Sequence, residues 1–337
     1  MGKVQAGRAG LRAVHQGVRH GESSSQPLRP RSIILDCDPG HDDALALLLA
    51  LARPELRLLA VTTVAGNAPL EQTTRNALRV LTLLGRTEVP VAAGADRPLD
   101  GVLRLAPEVH GTSGLQGADL PEPGAEAVDA SALELSSSLL EAADAVTIVA
   151  TGPLTNVAEL IRARPDLRPR IEAIVFMGGA IGEGNWTASA EFNIWADPEA
   201  ADVVVRCGVP LSMMPLEVTH QARLRPPDIA AMGAAGNRTG PIFADLMRYF
   251  ARVHAEWYGW DGPPIHDAVA VAHVLAPGPV ETARYPVAVE VEGRLTRGRT
   301  VVDTRPFSSD RAGIDVGITI DRDWFVRMLL EAVAASP

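Results

Sequence analysis

The stretch Leu35–Leu49, LDCDPGHDDALALLL, places four aspartates within eight residues, directly beside a run of apolar side chains. Crowded or buried carboxylates are costly unless a positive charge compensates them. The SIILDC before the turn predicts a strand, and the DDALALLLALA after it predicts a helix with acids in its first turn, where the dipole favours them. Pro39 and Gly40 predict a sharp turn between the two. The acids are therefore expected to gather at one strand end, where they either face water and cap the helix or share a cation.

Outward from this stretch, short strand-like runs alternate with longer helix-like runs. The strand-like runs are almost continuously apolar, which is typical of parallel strands buried on both faces. The expected fold class is α/β: one large domain with a mostly parallel, open, Rossmann-like sheet and helices on both faces. Late strands are predicted around 286–291 and 298–303. Helices are predicted over 70–84, 241–258, 267–275 and from about 321, with Pro153 in the first turn of another helix and Asp197 capping a further one.

Composition excludes several functions. The 337 residues are 47% hydrophobic with a net charge of -10, so neither a nucleic-acid polymer nor an anionic membrane is an expected partner. The longest apolar run, 44–52, is far shorter than the ~20 residues of a membrane helix. Two cysteines make no disulfide scaffold and suit a reduced, cytoplasmic location. Residues 1–30 are basic and poor in acids, and we expect a disordered tail or an over-long start rather than a targeting segment, before a domain spanning 31–337.

Polar residues follow several of the predicted strands. Asp36 and Asp38 end the first strand, Asn67 follows the second, Thr151 ends TIVAT, and Gly178 follows IVFM. Ligands of open parallel sheets bind beyond the carboxyl ends of the strands, so these groups are expected to share one crevice. The candidate metal ligands are oxygen atoms, since no cysteine pair or histidine pair lies near them. Oxygen ligands favour a hard cation, calcium or magnesium.

Four motifs carry a family resemblance: DCDPGHDDALAL, VATGPLTN, EGNWTASAEFN and GPPIHDAVAVAH. In this order they resemble the inosine–uridine-preferring nucleoside hydrolase family, over the chain from about Ser32 to the C-terminus. The resemblance implies the nucleoside hydrolase fold and a calcium-dependent hydrolysis of ribonucleosides, of the inosine or uridine type, to free base and ribose. It also implies a homo-oligomer, either a dimer or a tetramer.

The resemblance assigns the metal ligands and the catalytic groups by motif position. Calcium would be bound by the carboxylates of Asp38, Asp43 and Asp267 and by the backbone carbonyl of Thr151. Hydrolysis of an N-ribosidic bond passes through a cationic, oxocarbenium-like ribose and needs an activated water. Asp38 would take the proton of that water, and His266 would protonate the leaving base.

The resemblance also implies a substrate pocket built from uncharged amides, carboxylates and a few apolar groups. Its ribose-binding residues would be Asp42 and Asn193 at the 2′- and 3′-hydroxyls, Asn67 beside them, and Asn185 with Glu191 at the 5′-hydroxyl. The rest of the pocket would be lined by His110, Met177 and Phe192.

Some questions stay open at the level of sequence. The aromatic segment 249–260 can stack on a nucleobase or pack a helix against the core. The substrate preference therefore stays open: the enzyme either accepts both inosine and uridine or is restricted to pyrimidine nucleosides. His41 occupies a variable motif position and receives no role. A strand ending in D-x-D also opens the haloacid dehalogenase phosphatases, but Pro39 and Gly40 depart from that pattern. A silent nucleoside- or calcium-binding protein and a hydrolase of a modified nucleoside stay as alternatives.

Overall fold

A computed structural model describes residues 30–306 and 313–337. Residues 1–29, which hold the basic tail expected from the sequence, lie outside the described residues. The described strands are β1 (Arg31–Cys37), β2 (Leu56–Thr63), β3 (Val91–Ala93), β4 (Val146–Ala150), β5 (Ile171–Met177), β6 (Leu211–Met214), β7 (Val280–Tyr285), β8 (Val287–Val289), β9 (Thr300–Val302) and β10 (Ile314–Ile320).

One open sheet of eight strands forms the centre of the molecule, in the order β3-β2-β1-β4-β5-β6-β10-β7. Every neighbouring pair is parallel except β10 and β7, which are antiparallel at one edge. β8 and β9 form a separate antiparallel pair. The prediction of a mostly parallel open sheet in a single large domain is therefore confirmed.

Helices connect the strands. They are α1 (His41–Ala52), α2 (Leu70–Leu83), α3 (Pro107–His110), α4 (Ala132–Ala142), α5 (Thr155–Ala163), α6 (Phe192–Ala196), α7 (Pro198–Val205), α8 (Leu216–Thr219), α9 (Pro226–Gly233), α10 (Thr239–Tyr258), α11 (His266–Leu275) and α12 (Arg322–Ala335), with a 3-10 turn at Pro165–Arg170. No helix in the described part of the chain is long and apolar enough to cross a membrane.

The strand β1 and the helix α1 sit at the middle of this architecture. β1 pairs with β2 on one side and β4 on the other, and its side chains alternate between two cores: Ile33 and Leu35 join one, and Ile34 joins the other. Helices α1, α2, α10, α11 and α12 cover the first core, and α4, α5 and α7 cover the second. Residues 41–50 of α1 are all buried, so the turn between β1 and α1 lies deep in the protein.

Several details differ from expectation. Pro153 lies outside the helix it was expected to open, because α5 begins at Thr155 with Leu154 as its N-cap. Asp197 does cap α7, accepting a hydrogen bond from the Ala200 amide at 3.0 Å. The strands around 286–291 and 298–303 are confirmed as short pieces, 287–289 and 300–302. Strands β6, β7 and β10 and helices α3, α4, α6, α8 and α9 were not predicted.

Candidate active site

A cavity opens at the carboxyl ends of β1, β4 and β5. It encloses about 650 Å³, part of which is open to solvent. All the site residues expected from the sequence line it, except Asp38 and Asp43. The lining residues foreseen in this way are Asp42, Asn67, His110, Thr151, Met177, Asn185, Glu191, Phe192, Asn193, His266 and Asp267. These side chains come from segments far apart in the chain, so the fold itself assembles the cavity.

Asp38 lies directly behind the cavity wall and is fully buried. Its Oδ2 accepts a hydrogen bond from the Asn67 amide at 2.7 Å, while its Oδ1 is buried and has no hydrogen-bond partner among the described residues. Two glycines make room for this carboxylate: a Cβ at Gly66 would lie 2.1 Å from Oδ2, and one at Gly152 would lie 2.6 Å from Oδ1. A buried carboxylate oxygen left without a donor is costly, which indicates a ligand or a water at this position.

Asp43 is the second carboxylate behind the wall. Its Oδ2 accepts a hydrogen bond from the Gly40 amide at 2.9 Å, and its Oδ1 accepts one from the Thr151 hydroxyl at 2.7 Å. Carboxylate oxygens of Asp42, Asp43 and Asp267 all lie within 4.8 Å of one another, and together they can hold a metal ion. Asp38 is not part of this group of three, although it was expected among the ligands. The Thr151 carbonyl accepts a hydrogen bond from the Asn193 amide group at 2.8 Å.

Burial and mutual repulsion shift the titration of these acids. Burial, followed by the neighbouring Asp43 carboxylate, raises the pKa of Asp42 to about 7 and that of Asp38 well above its usual value. Burial also raises the pKa of Asp43, and burial together with the Asp42 charge raises that of Asp267 strongly. Carboxylates packed in this way favour a nearby cation, which removes both penalties at once.

The side of the cavity that faces helix α6 is built from amides and one carboxylate. Glu191 is the N-cap of α6 and accepts hydrogen bonds from the amides of Asn193 at 3.0 Å and Gly179 at 2.9 Å. Burial raises the pKa of Glu191 to about 7. Asn185 uses its Oδ1 to accept the Phe192 amide at 3.0 Å, so its NH₂ group stays available to a ligand. This wall offers fixed donors and acceptors without a basic side chain.

The opposite wall carries histidines. His266 begins α11, with its Nδ1 2.7 Å from the Thr219 hydroxyl and its amide donating to Asp42 at 3.2 Å. His254 on α10 also lines the cavity, and its Nδ1 lies 2.9 Å from the Phe250 carbonyl. Burial lowers the pKa of His266 well below its ordinary value and that of His254 to about 4. Both rings are therefore neutral near pH 7, and each carries a single ring proton.

The aromatic segment 249–260 divides between the two expected roles. Phe250, Trp257 and Tyr258 line the cavity, and the last two are half-exposed at its mouth. Tyr249 instead stacks on the buried ring of His41 in α1. Trp260 stacks on Tyr258, with ring centroids 4.7 Å apart. The segment therefore both packs helix α10 and supplies an aromatic rim.

Sequence reasoning missed some of the site. Trp186 lines the cavity beside Phe192, with ring centroids 5.0 Å apart, and its place inside EGNWTASAEFN could have signalled it. Thr219 lies outside the quoted motifs and carried no signal, whereas His254 falls within the aromatic segment 249–260, whose role the sequence left open. Asp36 belongs to a different network: its Oδ1 accepts hydrogen bonds from the Thr62 hydroxyl at 2.5 Å and the Asn156 side chain at 2.7 Å. It ties β1 to β2 and α5 and does not line the cavity.

Comparisons with known proteins agree with this geometry. Residues 33–327 match the family model described as inosine-uridine preferring nucleoside hydrolase. The chain is 47% identical over 304 residues to the pyrimidine-specific ribonucleoside hydrolase RihA of Klebsiella pneumoniae, covering 90% of this chain and 98% of that protein. It is 48% identical over 301 residues to RihA of Escherichia coli, covering 89% of this chain and 97% of that protein.

Solved structures give the same result. A purine-preferring ribonucleoside hydrolase from Gardnerella vaginalis superposes with a TM-score of 0.85 at 32% identity, covering 90% of this chain and 98% of that one. The plant nucleoside hydrolase PpNRh1 superposes with a TM-score of 0.83 at 32% identity, covering 90% and 99%. The chain therefore belongs to the inosine–uridine-preferring nucleoside hydrolase family, enzymes that hydrolyse ribonucleosides to free base and ribose.

Proposed function

We propose that this enzyme is a calcium-dependent hydrolase of pyrimidine ribonucleosides, releasing free uracil or cytosine and ribose. The observation that carries the proposal is the convergence of an all-oxygen acidic cluster, a wall of amides and a wall of neutral histidines on one cavity. The pyrimidine choice is supported by relatives named pyrimidine-specific at 47% and 48% identity, whereas the purine-preferring structure is 32% identical.

The acidic cluster fits a calcium ion in its chemistry. Every candidate ligand is an oxygen, and the unpartnered Oδ1 of Asp38 adds a further acceptor beside the three clustered carboxylates. Calcium accepts six to eight oxygen ligands, including carbonyls, whereas magnesium demands a tighter octahedron. Asp38, Asp43, Asp267 and the Thr151 carbonyl would hold the ion. When bound, calcium would neutralise the carboxylates and lower the pKa of a neighbouring water.

Asp38 is the group that accepts the proton of the attacking water in this proposal. Its Oδ2 is fixed by the Asn67 amide and its Oδ1 is free of protein donors. One oxygen thus orients the carboxylate and the other is available as a base. Gly66 and Gly152 leave the space that this arrangement needs.

The ribose is held by groups that do not oppose a positive charge. Asp42, Asn67 and Asn193 face the cavity on the side of the acidic cluster, and Asn185 and Glu191 face it from the α6 side. As the N-ribosidic bond breaks, the sugar becomes cationic. Carboxylates already fixed in place stabilise that charge without reorganising, which is the basis of electrostatic catalysis.

His266 assists the leaving base. Burial holds its imidazole neutral in the free enzyme, so its ring N–H can donate a hydrogen bond that strengthens as negative charge develops on the departing base. The Thr219 hydroxyl, 2.7 Å from Nδ1, fixes the orientation of the ring. The aromatic rim of Phe250, Trp257 and Tyr258 offers flat apolar surface to the base.

The test is ribose release from uridine, cytidine, inosine, adenosine and guanosine, each with calcium, with magnesium and with a chelator. We expect release from uridine and cytidine above the purine nucleosides, lost on chelation and restored by calcium. Activity that survives exhaustive chelation contradicts the metal role, and a preference for purine nucleosides contradicts the pyrimidine choice. Nucleoside binding without ribose release from any substrate identifies a silent binding protein instead.

Assembly and location are part of the same proposal. We propose a homo-oligomer, either a dimer or a tetramer, on the family resemblance, and light scattering of the purified protein tests it. A cytoplasmic location is supported by Cys37 and Cys207, which are both buried free thiols.

A further inference from the structure

His41 is the first residue of α1 and one of the most enclosed side chains beside the cavity. It is fully buried, and its ring stacks against those of Tyr249 and Phe250, with centroids 5.2 and 5.1 Å away and planes within 7° of parallel. It does not line the cavity itself, whereas its neighbour His110 does. A polar ring in such a place needs partners for both nitrogens, and both are found.

The hydrogen bonds of His41 fix where its proton lies. Its Nε2 lies 2.8 Å from the Gln116 carbonyl, which can only accept, so Nε2 carries a hydrogen. Its Nδ1 lies 3.1 Å from Nδ1 of His110. Two lone pairs at this distance would repel, so one proton lies between the two nitrogens. If His41 held it, His41 would be a buried cation, and none of its described hydrogen-bond partners is a carboxylate.

The shared proton therefore belongs to His110. The His41 backbone amide also lies 3.3 Å from Nδ1 of His110. For this amide to donate there, Nδ1 of His110 would need a lone pair. That lone pair would then face the lone pair on Nδ1 of His41 at 3.1 Å, which is repulsive. With Nδ1 protonated, a neutral His110 keeps its lone pair on Nε2. That nitrogen has no hydrogen-bond partner among the described residues, and its side chain lines the cavity.

We propose that His41 is a positioning residue: with the Gln116 carbonyl behind it, it holds His110 in the Nδ1–H form and so presents Nε2 as a hydrogen-bond acceptor to the nucleobase. The inference deepens the proposed function and rests on it for the identity of the ligand. It names the chemistry that the base must offer, an N–H donor on its edge, as uracil has at N3 and cytosine at its amino group.

A second histidine reaches the same state by a separate route. Nδ1 of His254 lies 2.9 Å from the Phe250 carbonyl, so Nδ1 donates and Nε2 keeps its lone pair. His254 lines the same cavity. Two acceptors that line one cavity favour bases with N–H groups, because an unmet acceptor in a buried site weakens binding of any base that lacks a donor.

Two substitutions of His41 separate positioning from packing. His41→Phe keeps an aromatic ring against Tyr249 and Phe250 but removes the acceptor for His110. His41→Asn keeps an acceptor at the place of Nδ1 but removes the ring. Positioning predicts that His41→Phe is the more damaging change, with kcat/KM for uridine lowered about tenfold to a hundredfold, whereas His41→Asn retains most of it. The reverse order shows a packing role and overturns the proposal.

A second substrate sharpens the comparison. p-Nitrophenyl riboside has a leaving group without an N–H donor, so its hydrolysis does not use the acceptor on His110. His41→Phe is expected to lower uridine hydrolysis much more than hydrolysis of this riboside. Equal losses on the two substrates overturn the proposed link between His41 and the base.

The proton position can be measured without turnover. Nitrogen-15 spectra of the histidine rings, assigned with a His110→Gln protein, report which nitrogen of His110 is protonated in the substrate-free enzyme. We expect the Nδ1–H form in the wild type and in His41→Asn, and a mixture or the Nε2–H form in His41→Phe. An Nε2–H wild type overturns the inference. If no nucleoside is hydrolysed at all, the proposed function fails while this result stands by itself.

Discussion

At the scale of single residues, the two oxygens of Asp38 have different surroundings. Oδ2 accepts the Asn67 amide, and Oδ1 is buried without a protein donor. Asp38→Asn preserves the shape and can still accept the Asn67 amide, but it removes the proton acceptor. We expect kcat for uridine to fall by about 10²–10⁴, the usual contribution of a general base. Steady-state kinetics with circular dichroism of the variant check this.

The stability of the same variant supplies the control. Burial and the charge of Asp43 raise the pKa of Asp38, so removing this carboxylate relieves repulsion in the metal-free protein. The melting temperature measured in chelator is therefore expected to stay equal or rise. Retention of more than a tenth of the wild-type kcat would remove Asp38 as the base.

His266 is the residue whose importance depends on the leaving group. Its neutral ring, fixed by the Thr219 hydroxyl at 2.7 Å, donates a hydrogen bond to a base that is a poor leaving group as a free anion. His266→Ala is expected to lower kcat for uridine by about 10²–10⁴, with a much smaller loss for p-nitrophenyl riboside, which needs no proton to leave. Parallel kinetics on the two substrates decide the matter. Asp38→Asn is the control, since it must slow both reactions, and equal losses in His266→Ala would exclude a hydrogen bond from His266 to the leaving base.

At the scale of elements, the loops that follow the strands are packed around Asp38 without spare room. A Cβ at Gly66, in the loop after β2, would lie 2.1 Å from Asp38 Oδ2 and 2.8 Å from the Pro153 ring. Gly66→Ala must move the loop or the carboxylate, and overpacking of this kind costs about 1–3 kcal/mol. We expect kcat for uridine to fall more than about tenfold along with a lower melting temperature.

Gly278, which lies between α11 and β7, offers the matched control for the Gly66 substitution. A Cβ there meets no atom within 4 Å, so Gly278→Ala is expected to match the wild type in both kcat and melting temperature. If Gly66→Ala also behaved like the wild type, the crowding around Asp38 would have no catalytic meaning.

The elements that could be predicted from sequence are those with strong local signals. Strands β1, β2, β4 and β5 are nearly continuous apolar runs, and α1 follows its strand without a break. Helix α4 was missed because its centre holds three serines, although Ser131 and Glu134 form a capping box at its start. Strand β7 was missed because it lies at the sheet edge with half of its side chains exposed and only one buried, so it shows no apolar run.

The residues of the candidate site likewise divide into those that could be predicted from the sequence and those that could not. The carboxylates and amides stand in motifs, so their convergence on one cavity could be expected from the resemblance and from the strand-end rule. The contacts of His41 with Gln116 and Tyr249 could not, because they join residues 75 apart in sequence or more, through packing of α1 against loops and α10. No local pattern encodes which nitrogen of a ring meets which carbonyl.

At the scale of the whole molecule, the protein buries several carboxyl groups whose ionised forms destabilise the native state unless a cation compensates their charge. Burial raises the pKa of Asp36, Asp42 and Glu191 to about 7, and it raises that of Asp38 and Asp267 well above the ordinary carboxyl value. In the unfolded chain these carboxyl groups have pKa values near 4. Above pH 4 the metal-free native state therefore binds more protons than the unfolded chain does. Its stability therefore falls as pH rises through the raised pKa values.

The buried histidines limit the window in which this effect is visible. Burial lowers the pKa of His41 and His254 to about 4, so below the ordinary histidine value near 6.5 the unfolded chain binds protons that the native state does not. That effect removes stability as pH falls, and it opposes the carboxylates. At pH 6.5 the unfolded histidines are still half protonated, and above about pH 7.5 they are neutral in both states. The opposing contribution therefore shrinks across this range and leaves the carboxylates dominant.

We therefore expect the melting temperature in chelator to fall between pH 6.5 and 8, with about 1 kcal/mol lost for each carboxyl whose pKa lies near 7. Calcium binds the ionised carboxylates of the native state and stabilises it by mass action, so its stabilising effect is expected to be larger at pH 8 than at pH 6.5. Thermal melts at both pH values, with chelator and with saturating calcium, measure the two effects.

Asp43→Asn is the matched variant, because it removes one charge from the acidic cluster and should reduce both effects. A calcium effect that is equal at the two pH values would show that the cation binds somewhere other than the acidic cluster.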